Sequence, residues 1–294
     1  MAICEISNGR YTAAVDSQGA ELKSLRKAED GREYIWSGDA EYWSGTSPVL
    51  FPFIGGLKNG EYRTGGSTYG MTKHGFAKNR EFKLLSQEAG ELWFVLESDE
   101  ETRKNYPFAF RLEVGYRLEE HTLKVMWRVE NPSEKDTLYF SVGGHPGLNC
   151  PMYTGGKKKN YYLKFDTEEC IRSTVIGEDG LACSNRIIYE LEDGLLPITE
   201  DLFDYDTVVL EDSQVHSISI LTPDKKPYLT TTFHTPVVAI WSPVQKKAPF
   251  ICIEPWCGLC DYTDFTGTLE ERKWENKLEP GKRFLSGFEI TVEE

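Results

Sequence analysis

A large antiparallel β-sandwich is the fold class that the sequence predicts, and three observations predict it. Apolar residues recur at every second position, helical periodicity is nearly absent, and turn residues interrupt the chain at short intervals. In chain order, Lys58-Asn-Gly60 and Thr64-Gly-Gly66 read as turns, and residues 92–96 as a strand. Phe110, Leu112, Val114, Tyr116 and Leu118 line one face of a strand, and Leu123, Val125, Trp127 and Val129 line one face of the next. With His121 near the intervening turn, the two make an antiparallel hairpin. Gly143-Gly144 and Glu178-Asp-Gly180 are further turns, and residues 160–165, 217–221, 237–241 and 288–292 are further strands. Residues 269–277 could make a short helix, closed by Pro280 and Gly281. Strand and loop lengths are uneven, which favours a two-sheet sandwich over a closed barrel. No composition shift, linker or fixed-period repeat divides the chain, so residues 1–294 read as a single domain.

Composition narrows the partners. With 39% hydrophobic and 13% aromatic residues, the chain has the material for a sizeable core. The formal net charge of −14 disfavours nucleic acid and anionic membrane, and weakens the case for a strongly anionic substrate. Met1-Ala-Ile-Cys-Glu-Ile-Ser has no basic leader, and no stretch reaches membrane-spanning length, so a cytoplasmic location is expected. Seven cysteines in a chain this long suggest reduced thiols rather than a disulfide framework. Cys257-Gly-Leu-Cys260 is formally a C-x-x-C, but no second ligand pair accompanies it, and no metal is expected.

The run Phe250-Ile-Cys-Ile-Glu-Pro-Trp256 carries the strongest chemical signal. Phe250, Cys252 and Glu254 share one strand face, Ile251 and Ile253 share the other, and Pro255 is expected to end the ladder. An ionisable carboxylate at the end of an apolar strand has two readings. It is a base whose pKa desolvation raises toward neutrality, or a carboxylate that caps N–H groups or pairs with a buried Arg. His145, after Gly143-Gly144 and before Pro146, is held extended at a cleft wall and suits a general acid. It is equally readable as a hydrogen-bonded histidine at a strand end. His74 sits at a similar strand-to-turn junction, whereas His121, His216 and His234 have no comparable setting. Asp206 has a strand-edge placement, and Asp204 reads as a solvated turn carboxylate. Trp36, Trp43, Trp241 and Trp256 read as core, although an aromatic ring beside a carboxylate and a histidine also suits a sugar. No P-loop, dinucleotide fingerprint or nucleophile elbow is present, which argues against nucleotide chemistry and serine hydrolysis.

Five segments in this order resemble the aldose 1-epimerase (galactose mutarotase-like) family, particularly its LacX-like branch: 47–55, 71–82, 143–147, 202–206 and 251–256. The resemblance implies a β-supersandwich, an enzyme without a cofactor, and an open cleft for a free aldose. It implies that Glu254 removes the proton of the anomeric hydroxyl while His145 protonates the ring oxygen. His74 would hold the sugar and help orient or polarise the ring oxygen, and Asp206 would accept from ring hydroxyls; Trp256, read from the residues themselves as the aromatic beside the carboxylate, is a further candidate to contact the sugar. Two positions depart from the family pattern. Where many relatives carry an Arg after the Pro-x-x-Gly turn, this chain has Gly55-Gly56 with Lys58 nearby, and the Arg of His-Gly-Phe-Ala-Arg is Lys78. Lys58 and Lys78 are therefore the candidates to contact the substrate in place of Arg, and because Lys lacks the bidentate fork of Arg, those contacts should differ. The competing readings are a hexose-phosphate epimerase, a non-catalytic sugar-binding protein, and a glycosidase using Glu254 and Asp206, which would leave His145 unused.

Overall fold

Side chains alternate across a strand, so each apolar row here must find a second sheet to face. The computed structural model describes residues 2–152, 156–244 and 246–293, and it solves this with two large antiparallel sheets. One has nine strands and contains the predicted hairpin, Arg111–Glu119 with Thr122–Glu130, flanked by Glu91–Glu97 and Arg283–Val292. The other runs in order through Ala182–Tyr189, Ile171–Ile176, Thr207–Leu210, Val237–Trp241, Phe250–Cys257, Val142–Gly144 and Val49–Leu50, with Gly147–Asn149 also paired to Phe250–Cys257. Leu112, Val114 and Trp127 of the first sheet share one buried cluster with Val208, Ile240, Ile251 and Ile253 of the second.

The opposite face of the second sheet is what positions the site. Phe250 and Cys252 leave the central core and join a smaller aromatic cluster with Trp36, against which Tyr42, Trp43 and Trp241 pack. Trp256 joins Leu50, Ile54, Val209 and Val237. The parity read from the sequence is therefore the observed one, with the isoleucines on the core side and Phe250, Cys252 and Glu254 on the other.

The predicted strands all form, and Gly65-Gly66, both at positive φ, closes the hairpin Glu61–Thr64 with Ser67–Gly70. Three expectations are corrected, and one element was not foreseen. Pro255 does not end its strand: it stands opposite Val238 in an unbroken register, and no residue is paired with it on the other edge. Gly143-Gly144 is not a turn but part of the strand Val142–Gly144. Residues 269–277 form only the 3-10 turn Leu269–Glu271. Arg272 then turns inward to pair with Asp261 at 2.6 Å and with Glu275, and Asn276–Leu278 joins Leu138–Phe140 as a strand. The α-helix Glu100–Asn105 was missed; its signal is a capping box between Asp99 and Thr102, with Thr in the place usually held by Glu or Gln.

Candidate active site

His145 and Glu254 meet because a β-ladder is interrupted. Gly143 stands opposite Trp256, and Gly147 stands opposite Cys252. Carrying either register into the interval brings His145 opposite Glu254. Pro146 has no amide donor to extend the ladder, and the His145 N–H goes to the Pro48 carbonyl at 3.1 Å instead. The imidazole thus takes the place of a ladder rung. Its Nε2 lies 3.2 Å from Glu254 Oε2, with the two side chains 12% and 1% exposed.

The pair is close without being aligned as a hydrogen bond. Glu254 Oε2, His145 Nδ1 and Trp256 Nε1 are all buried polar atoms without a hydrogen-bond partner, a condition that native proteins tolerate mainly where the groups have other work. Burial raises the Glu254 carboxyl well above the usual carboxylate range; the Lys73 charge opposes this and Asp206 adds to it. Burial also lowers His145 to about 3. Both residues are therefore biased toward their neutral forms.

Their surroundings form a cleft of about 470 Å³, lined by Trp43, Lys73, His74, Lys78, His145, Asp206, Trp241, Glu254 and Trp256 among others. Trp43 stacks on the His145 ring at 4.7 Å, and Trp241 meets it edge-on at 5.5 Å. Trp241 Nε1 donates to Asp206 Oδ1 at 3.1 Å, turning that carboxylate toward the same space. His74 is fixed twice by Gly55: its N–H donates to the Gly55 carbonyl at 3.0 Å, and its Nδ1 accepts from the Gly55 N–H at 3.1 Å. That leaves the His74 proton on Nε2. The following Gly75 must be glycine, because a Cβ would meet the Phe51 carbonyl oxygen at 2.3 Å and φ there is +69°.

The structure thus brings together Glu254, His145, His74, Asp206, Trp256 and Lys78. Lys78 spends one donation on the Lys73 carbonyl at 3.0 Å. Lys58 is a correction: it does not line the cleft, and its Nζ instead donates to the Phe265 carbonyl at 3.0 Å. Of the lining residues named above, three went unassigned in the sequence: Lys73, Trp43 and Trp241. Lys73 adjoins His74 in its motif and could have been found there. The two tryptophans were read as core, since nothing local shows that they reach the sheet face carrying Glu254. A larger hollow, about 1110 Å³ and lined by Lys157, Asp201, Phe203 and Pro249 among others, contains none of the predicted site residues.

The sequence model of the aldose 1-epimerase family matches residues 3–291. The LacX proteins of Lactococcus lactis subsp. lactis, chromosomal and plasmid, are each 29% identical over 296 residues, covering 98% of both chains. Among solved structures, the galactose mutarotase related enzyme of Lactobacillus acidophilus superposes with a TM-score of 0.93 at 34% identity, covering 100% of this chain and 98% of that one. A galactose mutarotase-like protein from Lactobacillus casei gives 0.91 at 30% identity, covering 99% and 100%. An interrupted ladder that sets a histidine against a buried glutamate therefore lies within a fold shared along its whole length with galactose mutarotase-like proteins, and the chain belongs to the aldose 1-epimerase family.

Proposed function

We propose that the protein is an isomerase that interconverts the α and β anomers of a free hexose, with Glu254 as general base and His145 as general acid. The observation that carries this reading is the 3.2 Å approach of the His145 and Glu254 side chains at the cleft. The two oxygens that must exchange protons, the anomeric hydroxyl and the ring oxygen, are bonded to one carbon. A donor and an acceptor serving both have to stand side by side.

Glu254 takes the hydroxyl proton, the freed electron pair forms the C1=O bond, and the C1–O5 bond breaks as O5 takes a proton from His145. Rotation about C1–C2 and reclosure with the roles reversed gives the other anomer. The reaction needs carboxylate and imidazolium, whereas burial favours carboxylic acid and neutral imidazole. These two forms contain the same number of protons. A sugar whose oxygens bridge the pair can pass the proton across, so the neutral resting state is a store for the active one. His74, with its proton on Nε2, supplies a further donor, Asp206 an acceptor, and Trp43 and Trp256 apolar walls.

Polarimetry of freshly dissolved α-glucose and α-galactose tests the proposal; a rate no faster than buffer across a panel of aldoses would sink it. Lys73 and Lys78 on the cleft wall favour a second reading, a hexose phosphate as substrate. The same measurement with phosphorylated hexoses decides between them by the ratio of kcat/KM.

A further inference from the structure

Cys252 has no part in that chemistry, yet it stands two residues before Glu254 on the same strand face. It is buried in the aromatic cluster behind the cleft. One ligand atom each from His145, Cys252 and Glu254 lies within 4.8 Å of the other two. We propose that these three side chains form a binding site for Zn²⁺ at the floor of the cleft, and that the ion silences the protein by occupying its acid and its base together. The site itself stands independently of the proposed mutarotation; only the inhibition rests on it.

Tetrahedral zinc with bonds of about 2.0–2.1 Å to nitrogen and oxygen places those two ligand atoms roughly 3.3 Å apart. The His145 Nε2 to Glu254 Oε2 separation is 3.2 Å. Rotation about the single side-chain torsion of Cys252 can bring Sγ toward the same centre, and the cleft leaves the fourth position open to water or a sugar oxygen. The donor set, one nitrogen, one sulfur and one oxygen, suits zinc better than magnesium or calcium. Glu254 Oε2 is buried without a hydrogen-bond partner, so an ion there supplies what the carboxylate lacks. The dication balances two charges, a thiolate and a carboxylate, each of which is costly to bury alone. Lys158, the buried cation nearby, is held by the Ser242 hydroxyl and the Phe250 carbonyl and so does not take the place of the ion.

Cobalt(II) serves as a visible substitute for zinc. The full-length protein titrated with Co²⁺ is expected to develop a thiolate-to-cobalt charge-transfer band that one equivalent of Zn²⁺ abolishes. Cys252→Ser should remove the band, Glu254→Gln should weaken the complex, and joint Cys257→Ser/Cys260→Ser should leave it intact. In polarimetry, Zn²⁺ should suppress the wild-type rate, and Cys252→Ser should keep the metal-free rate while needing at least 10- to 100-fold more zinc, roughly the affinity range that even the outer partners of metal ligands control. No band in the wild type, or a band that survives Cys252→Ser, overturns the site. A band with an unaffected mutarotation rate overturns the inhibition, and a band without any mutarotation counts against the proposed function instead. Should Cys252→Ser fail to fold, Glu254→Gln keeps the thiol and must still weaken the cobalt complex.

Discussion

Two glutamates on the same sheet are equally buried and behave in opposite ways. Glu211, just past the strand Thr207–Leu210, is 2% exposed, and Glu254 is 1% exposed. Burial raises the pKa of Glu211 too, but donations from Lys273, Thr174, Tyr262 and Trp274 outweigh it and hold the carboxyl at about 2. Arg186 adds a contact at 3.1 Å and Trp274 Nε1 one at 2.8 Å. Within ion-pair distance of Glu254 there is a histidine, His145, itself pushed toward neutrality. A buried carboxylate with every oxygen satisfied joins strands and loops together; one left short of partners is available to a substrate.

Substitutions can break this contrast, and the largest effect is expected at the unsatisfied end. Glu254→Gln and His145→Asn should each slow mutarotation by about 10² to 10⁴, equivalent to roughly 3 to 5 kcal/mol of barrier, without lowering the melting temperature. The double variant should be no slower than the worse single one, because the two residues act as a unit. Glu211→Gln should do the reverse: a loss of roughly 2 kcal/mol in chemical denaturation, with a kcat that stays within a few-fold of wild type in the folded fraction.

Smaller, but diagnostic, is the pH dependence of stability. Glu211 has a lowered folded value, so its stabilisation is present above the unfolded carboxyl value of about 4.3 and is lost as pH falls toward about 2. Glu254 has a raised one, so its contribution is complete below about 4.3 and is lost as pH rises toward the folded value. Denaturation curves should therefore show Glu254→Gln gaining stability relative to wild type as pH increases, and Glu211→Gln closing its deficit as pH decreases. The smallest effect is expected from Lys58→Ala, with kcat/KM unchanged because the ammonium faces Phe265. Lys73→Ala should raise KM for a phosphorylated hexose more than for a neutral one if the cleft lysines read substrate charge.

How much of this was legible in the sequence depends on range. Alternation within residues 110–130 shows the hairpin, and parity within 250–256 separates Ile251 and Ile253 from Glu254, because both are properties of a single strand. Pro255 misled, since a missing donor ends a ladder only where a neighbour needs it, and which edge is paired is a tertiary fact. Trp43 stacks on His145 across 102 residues of chain, and Lys58 turns away toward Phe265 across 207. No local pattern encodes either. The roles of Glu254 and His145 came from motif resemblance. Their apposition follows from the register of two short strands that periodicity alone does not reveal.

That register makes the gap between the proposed acid and base a property of the sheet rather than the outcome of loop packing. Neighbouring strands keep a separation near 4.8 Å whatever their sequence, so a pair facing each other across a missing rung inherits a spacing that thermal motion barely alters. Adding one residue between Gly144 and Gly147 would turn one side chain of the pair to the far face of the sheet. Subtler changes would leave the spacing intact. Sequence drift in the surrounding loops can thus reshape the cleft while the distance between His145 and Glu254 stays where the hydrogen-bonded backbone has fixed it.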